Sequence, residues 1–338
     1  MCKLIIGIDM AKDSFHVCVK SELENGDVKI KGSRNFKNQS SEYQNLLTWV
    51  SKRIKPFHDS PIFVMEATGV YHENLVYFLY EKGQSVSIVL PNKMKYFTKS
   101  FNIVTKTDKL DASIIARYGI ERKMKLWKPV SPVYLQLKIL NRKKLSFKKQ
   151  RTRSKNQLHA LKHAHQSPKS AIAITKKQIA FYEKSIHELD QEIAALIKQD
   201  PELDEKIDKA ATIKGVGRQT VIALICETNG FELFKSIRQL VSYAGLDIVL
   251  NESGKFKGKT RISKKGNSRI RSCLYMPALA AKQHNAKLKD LNDRIVLKNP
   301  DIKQKGTVAC MRKLLILVYT LWKKDEVYDE KYELNITK

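Results

Sequence analysis

The stretch Leu4-Ile5-Ile6-Gly7-Ile8-Asp9-Met10-Ala11-Lys12 decides how the N-terminal third is read. Leu4 to Ile8 is an apolar run closed by an acid, which suits a buried strand ending at Asp9. Working outward, Phe15, Val17 and Val19 alternate with polar or small residues, the period of a half-buried second strand. Asn25-Gly26 is a type I′ hairpin signal, and a third strand follows around Val28 to Asn35. Tyr43, Leu46, Leu47, Val50 and Ile54 keep helical spacing. Ile62 to Met65 is a second buried-type strand, and it too is closed by an acid, Glu66. A helix from Val70 to Lys82 and a strand from Val86 to Leu90 complete an α/β layer. Thr107-Asp108-Lys109-Leu110-Asp111-Ala112 then opens a helix running towards Gly119.

The chain has 338 residues, a formal net charge of +29 and a sequence pI of about 9.8. An excess this large calls for a polyanionic partner, either nucleic acid or an acidic membrane surface. The membrane reading is weak, because the late apolar run Leu314 to Trp322 is far shorter than the roughly 20 residues a spanning helix needs. That run reads as a core helix. Met1 to Asp9 lacks the length and cleavage pattern of a signal peptide. Cys2, Cys18, Cys226, Cys273 and Cys310 form no Cys-x-x-Cys pair, so reduced thiols in a cytosolic protein are the simplest expectation.

Beyond residue 125 the character changes. Lys138 to Lys155 holds nine basic residues in eighteen and no acid, with Lys143, Lys144, Lys148, Lys149, Arg151 and Arg153 as candidate nucleic-acid contacts. After Pro168, Ile179, Tyr182, Ile186, Leu189, Ile193 and Leu196 step by three and four, up to Pro201. That is a coiled-coil spacing, and equally the stripe of an amphipathic helix packed within a domain. His159, His163 and His165 are better read as RNA or phosphate contacts than as a metal site. Ile213-Lys214-Gly215-Val216-Gly217 before the helical run Thr220 to Cys226 suggests a helix-hairpin-helix turn whose amides face a phosphate through Gly215 and Gly217. A plain tight turn fits as well. A second acid-free run, Lys255 to Arg271, adds Lys255, Lys257, Arg261, Lys264 and Lys265. The expected division is 1–125 as the α/β domain, 126–205 as a basic helical linker and coiled coil, and 206–330 as a mainly α C-terminal domain.

Four carboxylates stand out by position. Asp9 and Glu66 end strands, and Asp108 and Asp111 lie at i and i+3 on one helix face. Such a cluster repels itself unless cations neutralise it, and hard oxygen donors select Mg²⁺ or Mn²⁺. Two ions about 4 Å apart would stabilise both the attacking and leaving oxygens of a phosphoryl transfer.

Gly7-Ile8-Asp9-Met10-Ala11-Lys12, Met65-Glu66-Ala67-Thr68-Gly69-Val70-Tyr71 and Lys106-Thr107-Asp108-Lys109-Leu110-Asp111-Ala112 resemble the three motifs of the RuvC-like DEDD transposases of the insertion-sequence-110 family. The resemblance, from about Ile5 to Ala280, implies an RNase H-like N-terminal domain in which Asp9, Glu66, Asp108 and Asp111 bind divalent metal. It further implies a C-terminal serine that attacks DNA. Ala244-Gly245-Leu246, Asn251-Glu252-Ser253-Gly254-Lys255 and Arg261-Ile262-Ser263-Lys264-Lys265-Gly266-Asn267 are the matching stretches, and Ser253 falls at the nucleophile. Asp247-Ile248 stands where the family often carries a proline. Ser263 competes for the role, but its setting suits phosphate binding better. Lys255, Lys257 and Arg261 would then hold the phosphate.

The same resemblance implies an element-encoded guide RNA that pairs with donor and target DNA, and a homodimer or homotetramer in which Ser253 of one subunit meets the acids of another. The leading expectation is therefore a transposase acting through a covalent serine–DNA intermediate. A metal-dependent junction nuclease using water, and a non-catalytic nucleic-acid-binding protein, are the alternatives. Tyr243 and Tyr275 read as packing residues rather than as tyrosine-recombinase nucleophiles.

Overall fold

A computed structural model of the chain describes residues 3–54, 60–67, 69–102, 105, 107–254, 256–258 and 260–330; Thr68, Lys106 and Lys255 lie outside the described residues, and Lys257 is described by its backbone alone. The chain forms two compact units, Met1–Pro129 and Val130–Lys338.

In the first unit, β1 (Leu4–Met10), β2 (Ser14–Glu22), β3 (Val28–Lys37), β4 (Ile62–Glu66) and β5 (Ser85–Val89) form one sheet in the order β3-β2-β1-β4-β5. β1, β2 and β3 pair antiparallel, whereas β4 and β5 run parallel to β1. This is the RNase H-like arrangement that the motifs imply.

Because side chains alternate along a strand, each face of the sheet has its own core. Leu4, Ile6, Ile8 and Met10 pack with Tyr43, Leu46 and Trp49 of α1 (Ser40–Ser51) and Leu75 and Leu79 of α2 (Glu73–Glu81). On the opposite face Ile5 and Val64 pack with α3 (Pro91–Lys99) and α4 (Asp108–Glu121).

Gly7 sets how closely α4 lies on the sheet. A Cβ there would collide with the backbone at Ala112 and Ala116, so only glycine lets the helix cross directly over β1. Gly119 repeats the device one end further on, where a Cβ would lie 2.6 Å from Ile5 Cγ2.

The β2–β3 hairpin forms at the expected place by a different turn. Gly26 N–H donates to Leu23 O and Leu23 N–H to Asp27 O, and Gly26 alone of the Asn-Gly pair has positive φ, +84°. A type I turn followed by a left-handed glycine replaces the expected type I′ turn. The Asn25 amide instead donates to the Asp27 carboxylate at 2.7 Å.

In the second unit, α5 (Pro132–His163) and α6 (Lys169–Lys198) form a long antiparallel pair, which places the segment that the sequence marks as a middle portion within this unit. The apolar stripe of α6 packs within the chain. Ile179, Ile186 and Ile193 are buried, and Lys144–Asp190 at 2.8 Å and Lys155–Glu183 at 2.9 Å tie the two helices together. α7 (Pro201–Ala211), α8 (Arg218–Thr228), α9 (Ile237–Ala244), α10 (Ser268–His284), α11 (Ala286–Lys298) and α12 (Gln304–Lys324) close around one core. Leu314, Leu315 and Val318 of α12 are fully buried in it, as the core-helix reading of that run expects. Among the described residues no helix is long and apolar enough to cross a membrane.

Candidate active site and nucleic-acid interface

Gly7 faces α4, so Asp9, two residues on, points to the same side of the sheet. The parallel register Ile8↔Met65 puts Glu66 level with Asp9 on the neighbouring strand, again on the α4 side. α4 begins beside them. Thr107 caps it by accepting from Leu110 N–H at 3.3 Å, and Asp108 and Asp111 occupy its first turn. Carboxylates there meet the positive end of the helix dipole. Asp111 directly precedes Ala112, the residue that Gly7 packs against. Sheet register and a glycine-mediated contact thus bring all four acids to one side of one sheet.

These donors suit a hard divalent cation, being carboxylate oxygens only. Among the described residues, no three carboxylate, imidazole or thiol groups are gathered within reach of one ion.

The sequence reading missed His16. It is the cross-strand partner of Asp9, which places it on the same face. Its Nε2 lies 2.8 Å from Ser33 Oγ, and Ser33 Oγ donates to Val17 O at 3.2 Å. Burial lowers the imidazole pKa, the Asp108 charge opposes that shift, and Lys109 adds to it.

Ser253 stands at the tip of a two-stranded ribbon. β6 (Ile248–Val249) pairs with β9 (Arg261–Ile262), and β7 (Glu252–Ser253) with β8 (Phe256–Lys257), with Gly254 at φ +55° in the closing turn. Ser253 is exposed and its hydroxyl makes no hydrogen bond among the described residues. Arg261 pairs with Val249 at the foot of the ribbon, in a separate ladder from the one that holds Ser253. Ser263 also belongs to the foot, where its N–H donates to Asp247 O at 2.9 Å.

A second residue that the sequence reading missed is Glu227 of α8, which is 3 % exposed. Arg142 of α5 donates to both of its carboxylate oxygens at 2.8 Å, and Asn267 Nδ2 donates to Oε2 at 2.8 Å. Asn267 also caps α10 and donates its own N–H to Tyr243 O at 2.7 Å, while the Tyr243 hydroxyl donates to Glu227 O at 3.2 Å. Burial alone would raise the Glu227 pKa, but the Arg142 and Asn267 hydrogen bonds outweigh it and hold it below the usual value. Arg269 Nε stands 4.0 Å away, so the two acid-free basic runs meet at one buried carboxylate.

The basic candidates on α5 divide by environment. Lys143, Lys149 and Arg153 are exposed. Lys144 must be withdrawn as a phosphate contact, because it is 3 % exposed and paired with Asp190. Lys148 is partly buried and reaches Gln219 in the first turn of α8 at 3.4 Å, and Arg151 is partly buried as well. Lys264 and Lys265 are exposed. Gly215, at φ +93°, presses against Ala281 of α10, where a Cβ would lie 2.6 Å from its N atom; close packing alone accounts for that glycine. Gly217 is exposed at the N-cap of α8.

An RNase H-like sheet with acids at adjoining strand ends, followed by a helical unit in a strongly basic chain, is an arrangement suited to acting on DNA. A DEDD transposase family model of insertion-sequence-110 type matches residues 6–164, and a second, described as Transposase IS116/IS110/IS902 family, matches residues 208–292. The chain belongs to the insertion-sequence-110 family of transposases, which recombine DNA. It is 29% identical over 333 residues to the pilin gene-inverting protein of Moraxella bovis, covering 98% of this chain and 99% of that protein. The pilin gene-inverting protein of Moraxella lacunata matches to the same extent. Among solved structures, T. thermophilus RuvC in complex with Holliday junction substrate is 14% identical with a TM-score of 0.28, covering 37% of this chain and 99% of that one. An Aquifex aeolicus Ppx/GppA family member is 14% identical with a TM-score of 0.22, over 28% and 37% of the two chains.

Proposed function

We propose that this transposase exchanges DNA strands through a covalent Ser253–DNA intermediate, with Asp9, Glu66, Asp108 and Asp111 holding Mg²⁺ or Mn²⁺. The observation that supports the reading is that the four acids share one side of the sheet, as the Ile8–Met65 register and the Gly7–α4 contact require. When bound, such ions offset the negative charge that develops as a phosphodiester is attacked.

Ser253 Oγ would form a bond to phosphorus as the bond to one strand oxygen breaks, and the hydroxyl proton would leave with that oxygen. One ester replaces another, so rejoining needs no outside energy source. A serine with no hydrogen-bond partner is a poor nucleophile by itself. In this reading a base or metal activates it, and the acidic site of the same copy or another would supply that group. The Moraxella relatives, named for inverting a gene, fit chemistry that conserves the phosphodiester.

Double-stranded donor and target DNA are the substrates in this reading. Lys143, Lys149, Arg153, Gly217, Arg261, Lys264 and Lys265 would contact phosphates, and an element-encoded RNA would select sequence by pairing. Functionally, 1–125 would cut, 126–205 would bind, and 206–330 would present the serine. The acting form would be a homodimer or homotetramer.

The test is a search for SDS-resistant protein–DNA adducts in cells carrying the protein, its native flanking DNA and the RNA transcribed beside it. Wild type should yield adducts, while Ser253→Ala and Asp9→Ala should not. Cleaved DNA without adducts in wild type and Ser253→Ala alike would establish a nuclease that uses water instead. Adducts that persist in Ser253→Ala would assign the nucleophile elsewhere, with Ser263 next in line.

A further inference from the structure

The ribbon face that carries Ser253 also carries an aromatic ring. Ser253 and Phe256 are direct cross-strand partners in the two-residue β7–β8 hairpin. Opposed residues of an antiparallel pair project to one face with Cβ atoms about 4.5–5.5 Å apart, so the ring stands beside the hydroxyl. Phe256 is 60% exposed, belongs to none of the three cores and has no ring partner among the described residues. A large aromatic at a protruding tip contributes nothing to packing, and its position there asks for an external partner.

The surroundings favour one kind of partner. From Phe256 to Arg271 the chain has no acid and seven basic residues, of which Arg261, Lys264 and Lys265 are exposed. A flat apolar ring in a cationic setting matches a nucleobase, which offers a π-face on a polyanionic chain. In an intact duplex, stacking on both sides holds each phosphate in the helical path. An aromatic wedge opens a base step and kinks the strand.

We infer that Phe256 is a stacking platform for a base of the strand being cut, and that by holding this base it seats the adjoining phosphate against Ser253 Oγ. That the stacked base belongs to the strand being cut, and that its phosphate is seated against Ser253, rest on the proposed serine chemistry; the stacking itself does not.

The test scans the element-end duplex with 5-iodouracil at successive thymine positions, irradiates it with the full-length Ser253→Ala protein and maps cross-linked peptides. Near-ultraviolet light joins iodouracil to an aromatic ring stacked upon it. The cross-link should fall on Phe256 at one or two neighbouring positions, vanish in Ser253→Ala/Phe256→Ala and persist in Ser253→Ala/Phe256→Tyr. With Ser253 intact, Phe256→Ala should lower adduct formation by about 5- to 150-fold, the scale of one lost base stack, and Phe256→Tyr should restore it.

Cross-links that map elsewhere, are absent at every position or are indifferent to Phe256→Ala would overturn the inference. So would a change in solution mass on Phe256→Ala, measured by light scattering, since the ring would then serve contact between copies of the chain. Because cross-linking is read without the serine, failure of the serine mechanism would show separately, as missing adducts in wild type.

Discussion

Gly7 and Glu227 act at the residue scale by opposite means, one through absent atoms and the other through buried charge. Replacing Gly7 by Ala adds a single methyl where α4 backbone already lies. Overpacking of this kind costs about 1–3 kcal/mol, and here the strain falls on the helix that carries two of the four acids. Gly7→Ala should lower the first unit's melting temperature and abolish cleavage while leaving DNA affinity, measured by gel shift, close to wild type. Glu227 titrates from a value held below the ordinary 4.5 for glutamate. A carboxyl with a depressed folded-state pKa stabilises the protein in full above its unfolded value and loses that contribution as the pH falls through the folded one. Denaturant melts of wild type should therefore lose stability on acidification below about pH 4.5. Glu227→Ala removes three side-chain hydrogen bonds but leaves Arg142 partly open to solvent, so it should begin less stable and show a shallower acid decline in the second unit. Equal acid slopes in the two proteins would contradict this role for Glu227.

At the scale of elements, α5 tests which lysines serve the fold and which serve the ligand. Lys149→Ala and Arg153→Ala should each reduce the slope of log affinity against log salt by about 1, whereas Lys144→Met should leave that slope unchanged and lower stability instead. A reduced salt slope with Lys144→Met would return that lysine to the DNA-facing set. Strand-end acids and an i, i+3 pair were legible beforehand because they follow from periods of 2 and 3.6, which the chain displays openly. The β2–β3 turn was legible in place but not in type, since composition at Asn25-Gly26 does not say which residue takes positive φ. α3 was hidden because Met94 and Phe97 are its only buried residues. The pairing of α6 with α5 was hidden for a related reason: the inward residues of α5 include Asn141, Lys144 and Ser154, which read as a solvated face. His16 was recoverable in principle, because a tight β1–β2 hairpin makes it the partner of Asp9. The Glu227 contacts were not, since Arg142 lies 85 residues away along the chain and Asn267 lies 40, distances across which no local pattern operates.

For the whole molecule, two units with separate cores imply two unfolding events. Calorimetry at low salt should resolve two transitions, and Gly7→Ala should shift only that of Met1–Pro129. A single transition that moves as one would show that the units unfold together. The net charge of +29 adds self-repulsion that a polyanion relieves, so DNA should raise melting most at low ionic strength. The close seat of α4 on β1 carries a last consequence for mobile DNA, whose copies decay by random mutation once they fall silent. A genomic copy that keeps every acid and the serine but has gained any side chain at position 7 should be counted among the extinct, because the lesion displaces the helix that carries Asp108 and Asp111 without touching either of them.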